Sequence, residues 1–386
     1  MIESDPIPFN RPFIVGKELY YISQAVMGGH LSGDGPFTKR CQEWMEKSFA
    51  ARKVLLTHSC TAALEMAALL CDIKPRDEVI MPSYTFVSTA NAFVLRGARI
   101  RFVDIREDTL NLDENLLEQV FAEASPGVIK AVVPVHYAGV ACEMEQIKEF
   151  ATAHHLMVIE DAAQGVDATY KGAALGTLGD LGAYSFHETK NFISGEGGAL
   201  LINNPELISR AEIIREKGTD RSQFFRGEID KYSWIDLGSS YLPSELVAAF
   251  LYAQLEAAAR ITATRRAIYD FYAEALRPLA ERGLISLPVT PADCTHNAHM
   301  FYLIVKGAED ERDRLLAFLK KRAIHAVFHY IPLHLSPMGR KLGYQEGDLP
   351  RTEALSGRVL RLPCYFELTL SQRQRVVAAV FDFFKS

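Results

Sequence analysis

The chain has 386 residues, of which 48% are hydrophobic and 23% are charged, and its formal net charge is −6. This composition is ordinary for a folded globular protein and excludes a long disordered chain. The weak negative charge provides no basic surface for nucleic acid, so we expect no nucleic-acid partner. The length exceeds that of one ordinary core and predicts two domains with a cleft between them.

Cysteine usage and the amino terminus both indicate a cytoplasmic protein. The six cysteines contain no Cys-x-x-Cys pair, which favours reduced thiols over a disulfide framework or a zinc site. Residues 1–10 carry Glu3, Asp5 and prolines where a secretory signal needs a basic region and an apolar core. The most apolar window, residues 54–73, contains Glu65 and Asp72, so we expect it to be buried in the protein and not in a membrane.

The first part of the chain is predicted to alternate between helices and short strands. Residues 17–27 have the spacing of an amphipathic helix, and the glycine-rich residues 28–36 form a loop that either approaches a ligand or is only a connection. A helix is predicted over residues 38–49 and a strand over residues 53–56, followed by an alanine-rich helix over residues 62–70.

Small polar residues precede that alanine-rich helix, in the run 57–61 that ends in Ser59, Cys60 and Thr61. Such residues cap backbone N–H groups and leave others free, and together with the helix dipole they create a site for an anion. A plain N-cap is the commoner use of the same residues. From this run alone, a phosphate site and a simple cap are both open.

An aromatic residue follows the next predicted strand, residues 78–82. Phe86 lies in the turn that opens a helix ending near Leu95, and its flat face can stack on a planar ring. Burial in the core is the more frequent role of a phenylalanine.

Strands and helices continue to alternate through the middle of the chain. The predicted strands are residues 100–104, 128–135, 156–159, 182–187 and 199–202, and the predicted helices are residues 113–124, 143–155 and 205–217. This alternation predicts a doubly wound α/β fold, with a mostly parallel sheet covered by helices on both faces.

Two polar residues follow strands of this predicted sheet. Asp161 lies just past the carboxyl end of a strand, where open α/β sheets bind ligands, and Lys190 lies between the strand at 182–187 and a turn of small residues at 195–198. A carboxylate that keeps a ring nitrogen protonated and a lysine that bonds to an aldehyde are the groups that pyridoxal phosphate (PLP) chemistry needs most. The pair predicts a PLP site, although a helix-capping aspartate and a solvated lysine are plainer alternatives.

The second half of the chain is predicted to contain a connecting helix and a small α+β domain. The polar residues 219–232 form either an ordinary surface loop or one that reaches across a dimer, and one long helix over residues 246–279 joins the domains. The small domain comprises strands at 299–306 and 325–331 and helices at 310–322 and 371–384. The predicted division is a large domain of residues 1–255, including an N-terminal arm, and a small domain of residues 256–386.

Three histidines in this domain, His325, His329 and His334, have a spacing that suggests metal ligands. His325 and His329 share one face only in a helix, whereas Val327 and the following Pro332 favour a strand and then a turn. We therefore predict no metal site.

Several of these segments resemble the sugar-nucleotide aminotransferases of the DegT/DnrJ/EryC1/StrS family. Members carry a similar E-D-A-A-Q turn, here residues 160–164, and a similar S-F-x-x-x-K run before G-E-G-G, here residues 185–198. Residues 79–97 and 328–334 add to the resemblance, which covers nearly the whole chain. It implies a PLP-dependent aspartate aminotransferase-like fold (fold type I) and a homodimer with its active site at the subunit interface.

The resemblance also implies roles for single residues around the cofactor ring. Lys190 would bond to PLP and move protons, and Asp161 would pair with the pyridine nitrogen. Gln164 would lie near the 3-hydroxyl group, and Phe86 would stack on the ring, where many relatives have tryptophan.

Four further residues would hold the phosphate. Ser185 would donate to it together with the backbone of Cys60 and Thr61. Many relatives have an asparagine that reaches the phosphate in the partner subunit, and this chain has Ser240 at that position, so Ser240 either substitutes or the contact is lost.

The family reaction transfers an amino group from L-glutamate to a nucleotide-linked keto sugar, with PLP and its pyridoxamine form as alternating states of the cofactor. A sugar 3-dehydrase, whose lysine is replaced by histidine, is disfavoured because Lys190 is present. A non-catalytic ligand-binding relative is disfavoured because Asp161 and Lys190 are both intact. A dinucleotide-binding protein would need G-x-G-x-x-G after an early strand, and no such run occurs.

Overall fold

The computed structural model of the protein describes residues 5–385. Residues 1–4 and 386 lie outside the described part, and with them Glu3 and the start of the segment that argues against a secretory signal.

A seven-stranded sheet forms the centre of the larger part of the chain. Its spatial order is β1-β9-β8-β5-β4-β2-β3, and every neighbouring pair is parallel except the two pairs that β9 makes. These strands, with the short β6 and β7, are β1 (Lys53–Thr57), β2 (Glu78–Pro82), β3 (Arg99–Val103), β4 (Ile129–Val132), β5 (Met157–Asp161), β6 (Thr169–Tyr170), β7 (Ala173–Ala174), β8 (Leu181–Ser185) and β9 (Gly198–Ile202). The mostly parallel sheet confirms the predicted fold class.

Helices cover both faces of this sheet. Successive strand residues point to opposite sides, and both sides carry apolar residues that need cover. Leu56 packs into the apolar cluster of one face and Leu55 into the cluster of the other. The helices are α1 (Glu18–Met27), α2 (Pro36–Phe49), α3 (Cys60–Leu70), α4 (Val87–Val94), α5 (Leu117–Ala122), α6 (Met144–Ala153), α7 (Ile208–Arg215), α8 (Arg221–Phe225), α9 (Glu245–Glu256) and α10 (Ala258–Glu281). Single 3-10 turns precede α5 and α7, at Glu114–Leu116 and Pro205–Leu207.

A smaller antiparallel sheet follows, in the order β10-β12-β14-β13, and has its own apolar core. Its elements are β10 (Ile285–Ser286), β11 (Cys294–Thr295), β12 (Phe301–Val305), α11 (Glu311–Lys321), β13 (Val327–Phe328), α12 (Pro337–Lys341), α13 (Pro350–Ser356), β14 (Val359–Leu362) and α14 (Leu370–Phe383); β11 pairs instead with β6. The predicted small α+β unit is therefore present. Ile7 of the N-terminal arm is buried in this core and pairs with Ile324.

Some elements differ from the prediction. The predicted single helix over residues 246–279 is two helices, α9 and α10, which meet at Ala257 with a bend of 62°. The predicted strand at 325–331 pairs only over β13, and the predicted loop at 219–232 contains α8. Between residues 5 and 385, no single helix has the length and apolar content needed to cross a membrane; α9 and α10 meet that criterion only when taken together across their bend.

Candidate active site

A cavity of about 590 Å³ lies at the carboxyl ends of β5 and β8, between the large sheet and the small one. This volume is typical of small-molecule sites. Seven of the eight predicted site residues line it, namely Cys60, Thr61, Phe86, Asp161, Gln164, Ser185 and Lys190. The small sheet contributes others, including Arg361. Residues far apart in the sequence therefore share one chamber.

Asp161 is the last residue of β5 and is almost fully buried. Its Oδ2 accepts a hydrogen bond from Thr89 Oγ1 at 2.6 Å, and its Oδ1 accepts one from the Ala163 backbone N–H at 3.1 Å. These two hydrogen bonds fix the orientation of the carboxylate. Asp161 is therefore placed to present its carboxylate to a ligand in the cavity.

Lys190 lies in the turn between β8 and β9, where its backbone N–H donates to the His187 carbonyl at 2.9 Å. Burial lowers the pKa of its amine, and the positive charge of Arg361 lowers it further, while the charges of Cys60 and Asp161 act in the opposite direction. The charges of Asp161 and Lys190 therefore act on each other within one cavity. A lowered pKa increases the fraction of neutral amine, the form that attacks an aldehyde.

The start of α3 forms another part of the cavity wall. Ser59 caps this helix by accepting a hydrogen bond from the Ala62 N–H, and it leaves the N–H groups of Cys60 and Thr61 without an acceptor inside the helix. Gly198 of β9 packs against this turn, because a Cβ atom there would overlap the backbone atoms of Ser59 and Cys60. Ser185, paired with Gly198 across the sheet, lines the same region. The arrangement suits an anion.

Gln164 and Phe86 contact a residue that the sequence analysis did not single out, Tyr330. Gln164 Nε2 donates to the Tyr330 hydroxyl at 3.0 Å, and Gln164 Oε1 accepts from the Ala138 N–H at 2.7 Å. The rings of Phe86 and Tyr330 lie with centroids 6.4 Å apart, and Phe86 is 57% exposed. An exposed aromatic face at a cavity is available for stacking on a planar ligand.

His299 is a second residue that the sequence analysis missed, and its hydrogen bonds determine its tautomer. Asn191 donates from Nδ2 to the Asn297 carbonyl at 2.9 Å, so its Oδ1 faces His299 Nδ1 at 3.2 Å and must accept. Burial lowers the pKa of His299 well below its usual value, and the charge of Lys190 adds to this effect. The imidazole is therefore neutral, with its proton on Nδ1 and an acceptor at Nε2.

Ser240, the eighth predicted site residue, is exposed and lies outside this cavity. Its backbone pairs with Glu216. The predicted contact is with the phosphate of a partner subunit, so it stays a prediction. None of the residues in the glycine-rich loop at 28–36 lines the cavity of its own chain; the Gly35 N–H and the start of α2 donate instead to buried Glu245.

The histidines with metal-like spacing have other partners. His329 Nδ1 lies 3.0 Å from the Tyr137 hydroxyl, and His334 lies between Ser83 at 2.7 Å and Glu353 at 3.0 Å. No group of three or more potential metal ligands is found in the described range 5–385.

The chamber fits PLP in three respects. A buried carboxylate suits a protonated ring nitrogen, a lysine with a lowered pKa suits an aldehyde, and free N–H groups at a helix start suit a phosphate. All of these groups line the same cavity, so one ligand can contact them together.

Comparison with known proteins gives an independent result. Residues 13–381 match the sequence profile of the DegT/DnrJ/EryC1/StrS aminotransferase family. The spore coat polysaccharide biosynthesis protein SpsC of Bacillus subtilis is 34% identical over an alignment of length 386, which covers 98% of this chain and 97% of SpsC.

Solved structures show the same fold. Streptomyces venezuelae DesV, solved in complex with a ketimine intermediate, is 30% identical, with a TM-score of 0.88 over 99% of this chain and 100% of DesV. The PLP form of the sugar aminotransferase Spr1654 of Streptococcus pneumoniae has a TM-score of 0.89 at 24% identity, over 99% of both chains. The family match over nearly the whole length confirms the resemblance, the enzyme class and the cofactor. The chain belongs to the DegT/DnrJ/EryC1/StrS aminotransferase family and is a PLP-dependent sugar aminotransferase.

Proposed function

We propose that the enzyme transfers the amino group of L-glutamate to C4 of dTDP-4-dehydro-6-deoxy-D-glucose. The products are dTDP-4-amino-4,6-dideoxy-D-galactose and 2-oxoglutarate. Within the family, the sequence resembles the dTDP-4-amino-4,6-dideoxygalactose transaminases, which are associated with enterobacterial common antigen. The alternative within the same chemistry is another nucleotide-linked 3- or 4-keto sugar.

One observation carries the proposal, namely that Asp161 and Lys190 line one cavity and that their charges act on each other. These are the two groups that a PLP transaminase requires. Residues 79–97 and 328–334, which carry much of the resemblance to the family, contribute Phe86 and Tyr330 to the same cavity. The name of SpsC supports a product used in polysaccharide synthesis.

When bound, PLP supplies an aldehyde that exchanges amines and a protonated ring that accepts the electrons left when a proton departs. Lys190 is the group that moves protons: its lowered pKa lets it take the α-proton of glutamate and later deliver a proton to C4 of the sugar. The face from which Lys190 delivers that proton determines whether the new amine is axial or equatorial.

Asp161 would pair with the ring nitrogen and keep it protonated, and its hydrogen bonds from Thr89 and Ala163 orient the carboxylate for this contact. Gln164, fixed by Ala138 and Tyr330, would face the 3-hydroxyl group. Ser185 and the start of α3 would hold the phosphate, and Phe86 would stack on the ring. These roles follow the family resemblance and are consistent with the geometry.

We also infer a cytoplasmic homodimer in which Ser240 of each subunit approaches the phosphate of the other. The free state of all six cysteines is compatible with a reducing compartment. The domain division at residues 255 and 256 likewise stays a prediction, and the bend at Ala257 lies close to it.

Turnover with a panel of nucleotide keto sugars tests the function. With L-glutamate as donor, we expect dTDP-4-dehydro-6-deoxy-D-glucose to react with the highest kcat/KM, and NMR of the product to show an axial amine at C4. The panel includes the UDP-linked analogue and a 3-keto isomer as matched competitors. An equatorial amine would replace the proposed product, and a preference for either competitor would replace the proposed substrate. Either result would leave the enzyme class intact.

Borohydride reduction of the PLP-loaded protein tests the site itself. We expect mass spectrometry to locate the reduced cofactor on Lys190, and Lys190→Ala to lose both the adduct and the turnover. Recovery of the adduct on a different lysine would overturn the assignment of Lys190.

A further inference from the structure

Arg361 is a charged residue in the cavity that the reaction described above does not use. It lies on β14 of the small sheet, on the same face as Val359, which packs beside Tyr84 and Tyr137. Its Nη2 donates to the Phe328 carbonyl at 3.3 Å, and its guanidinium lies 4.7 Å from the centroid of the Phe9 ring. Its Nε is buried and has no hydrogen-bond partner among residues 5–385.

The surroundings of Arg361 lack a counter-ion. No carboxylate of the described chain forms an ion pair with Arg361. Burial lowers the pKa of its guanidinium, and in the described part of the chain only the tyrosines Tyr137, Tyr330 and Tyr84 act in the opposite direction. Nearby His329 is neutral, because burial lowers its pKa well below its usual value and Arg361 lowers it further. A partly buried cation whose Nε is buried without a partner is costly, so such a site is completed by an anion from a ligand.

The position of Arg361 restricts the identity of that anion. Arg361 and Lys190 line the same cavity, and the charge of Arg361 acts on the Lys190 amine, so an anion bound by Arg361 lies near the carbon from which Lys190 moves a proton. In an α-amino acid, the carboxylate is attached to that same carbon. In a nucleotide sugar, the diphosphate is attached at C1, across the ring from the keto carbon at C4, and is therefore farther from the lysine.

We propose that Arg361 binds the α-carboxylate of the amino-acid donor and is the specificity-determining residue for the first half-reaction. This inference rests on the proposed function, but it concerns the donor only and holds for any keto sugar. A planar guanidinium with free N–H groups matches a carboxylate in shape and charge, and the low polarity of the aromatic wall strengthens the pair. The start of α3 serves the cofactor phosphate, so Arg361 is not needed there.

The first half-reaction can be followed without a sugar. The donor gives up its amine and its α-hydrogen, takes an oxygen atom from water and leaves as the 2-oxo acid, while the cofactor changes from aldehyde to amine. The loss of the PLP absorbance in a stopped-flow instrument reports this step. L-Glutamate is compared with its α-amide, L-isoglutamine, and with its γ-amide, L-glutamine, as the matched control donor.

The wild-type enzyme is expected to prefer glutamate over isoglutamine by on the order of 10²- to 10³-fold in the second-order rate constant of the half-reaction. In Arg361→Gln this preference should fall to within a few fold, because the variant no longer distinguishes a charged from a neutral α-substituent. The ratio of glutamate to glutamine should stay unchanged, since the γ-group is elsewhere. Arg361→Lys should retain part of the preference.

Equilibrium binding gives a readout that does not depend on turnover. Titration of the PLP-loaded enzyme with glutarate, a dicarboxylate that cannot react, should show a dissociation constant at least 10-fold higher for Arg361→Gln than for wild type. The control Arg358→Gln removes an arginine whose Nη1 donates to the Gly307 carbonyl outside the cavity. It should bind glutarate as wild type does. Unchanged PLP affinity and melting temperature show that each variant is folded.

Three outcomes would overturn the proposal. In the first, the preference for glutamate over isoglutamine persists in Arg361→Gln. In the second, this variant instead raises the KM of the nucleotide sugar, which assigns Arg361 to the diphosphate. In the third, the variant dissociates the oligomer, which assigns Arg361 to a carboxylate of a second copy. If the wild-type enzyme converts no α-amino acid at all, the proposed function fails, and that result is distinct from all three.

Discussion

Opposing charges act on the amine of Lys190, and each can be removed singly. Burial lowers its pKa, the positive charge of Arg361 lowers it further, and the negative charge of Asp161 raises it. Without cofactor, Lys190 should therefore become reactive at a lower pH than an ordinary lysine, whose pKa is about 10.4. Arg361→Gln should raise the apparent pKa of Lys190, and Asp161→Asn should lower it.

Competitive labelling of the cofactor-free protein with acetic anhydride at a series of pH values measures this pKa. Mass spectrometry gives the extent of acetylation of Lys190 relative to an added amine standard. Opposite shifts in the two variants are the decisive result, because a general loosening of the site would move both in the same direction. Equal shifts of the Lys190 pKa in the two variants would contradict the electrostatic account. So would a wild-type Lys190 pKa at or above the pKa of the amine standard.

At the scale of elements, the close packing of β9 on the start of α3 positions the predicted phosphate site. A Cβ atom on Gly198 would overlap the backbone of Ser59 and Cys60. Gly198→Ala should therefore displace the first turn of α3 and weaken PLP binding about 10- to 100-fold, a cost typical of overpacking in a tight contact. Spectroscopic titration with PLP measures the effect.

Gly357→Ala is the matched control for this prediction. Gly357 follows α13 with a φ of −66°, and a Cβ atom there would have its nearest neighbours at 3.9 Å. This variant should bind PLP as wild type does. If Gly198→Ala also retains wild-type affinity while its melting temperature stays unchanged, the start of α3 does not hold the phosphate.

The elements that the sequence predicted well are those with a strong local signal. The alternation of apolar strands with helices identified the parallel sheet, but the reversed direction of β9 leaves no mark in the sequence of that strand, since its buried residues would fit either direction. The bend between α9 and α10 falls at Ala257, a good helix former, so helix propensity predicted a continuous helix there. α9 packs against α1 and α2, whereas α10 packs against α14 and β10, and these long-range contacts leave no signal in the sequence at Ala257.

The same limit applies to the site. Asp161 and Lys190 were predictable because Asp161 ends one strand of the large sheet and Lys190 follows another, each in a distinctive short run. His299 and Arg361 reach the cavity from the small sheet, more than 100 residues along the chain from Lys190, and nothing in their local sequence indicates it. Tyr330 lies in a segment that resembles the family, but its contact with Gln164 depends on the packing of the two sheets.

At the scale of the whole molecule, the segment that carries Ser240 exposes several large apolar side chains. Trp234 is 78% exposed, and Phe225, Ile235 and Leu237 are also exposed. Several large exposed apolar side chains in one segment of a folded protein mark an interaction surface. Because Ser240 is predicted to contact a partner's phosphate, the partner that best accounts for this surface is a second copy of the chain.

We therefore predict that the protein sediments with a mass of two 43.1 kDa chains, and that Trp234→Asp shifts it toward one chain. The variant should also bind PLP more weakly, since each phosphate would lose its contacts from the other subunit. Leu370→Asp, which places the same charge on an apolar residue of α14 that is 52% exposed, should leave both properties unchanged. A wild-type monomer at micromolar concentration, or a Trp234→Asp monomer with full PLP affinity, would show that Ser240 plays no part in a neighbouring site.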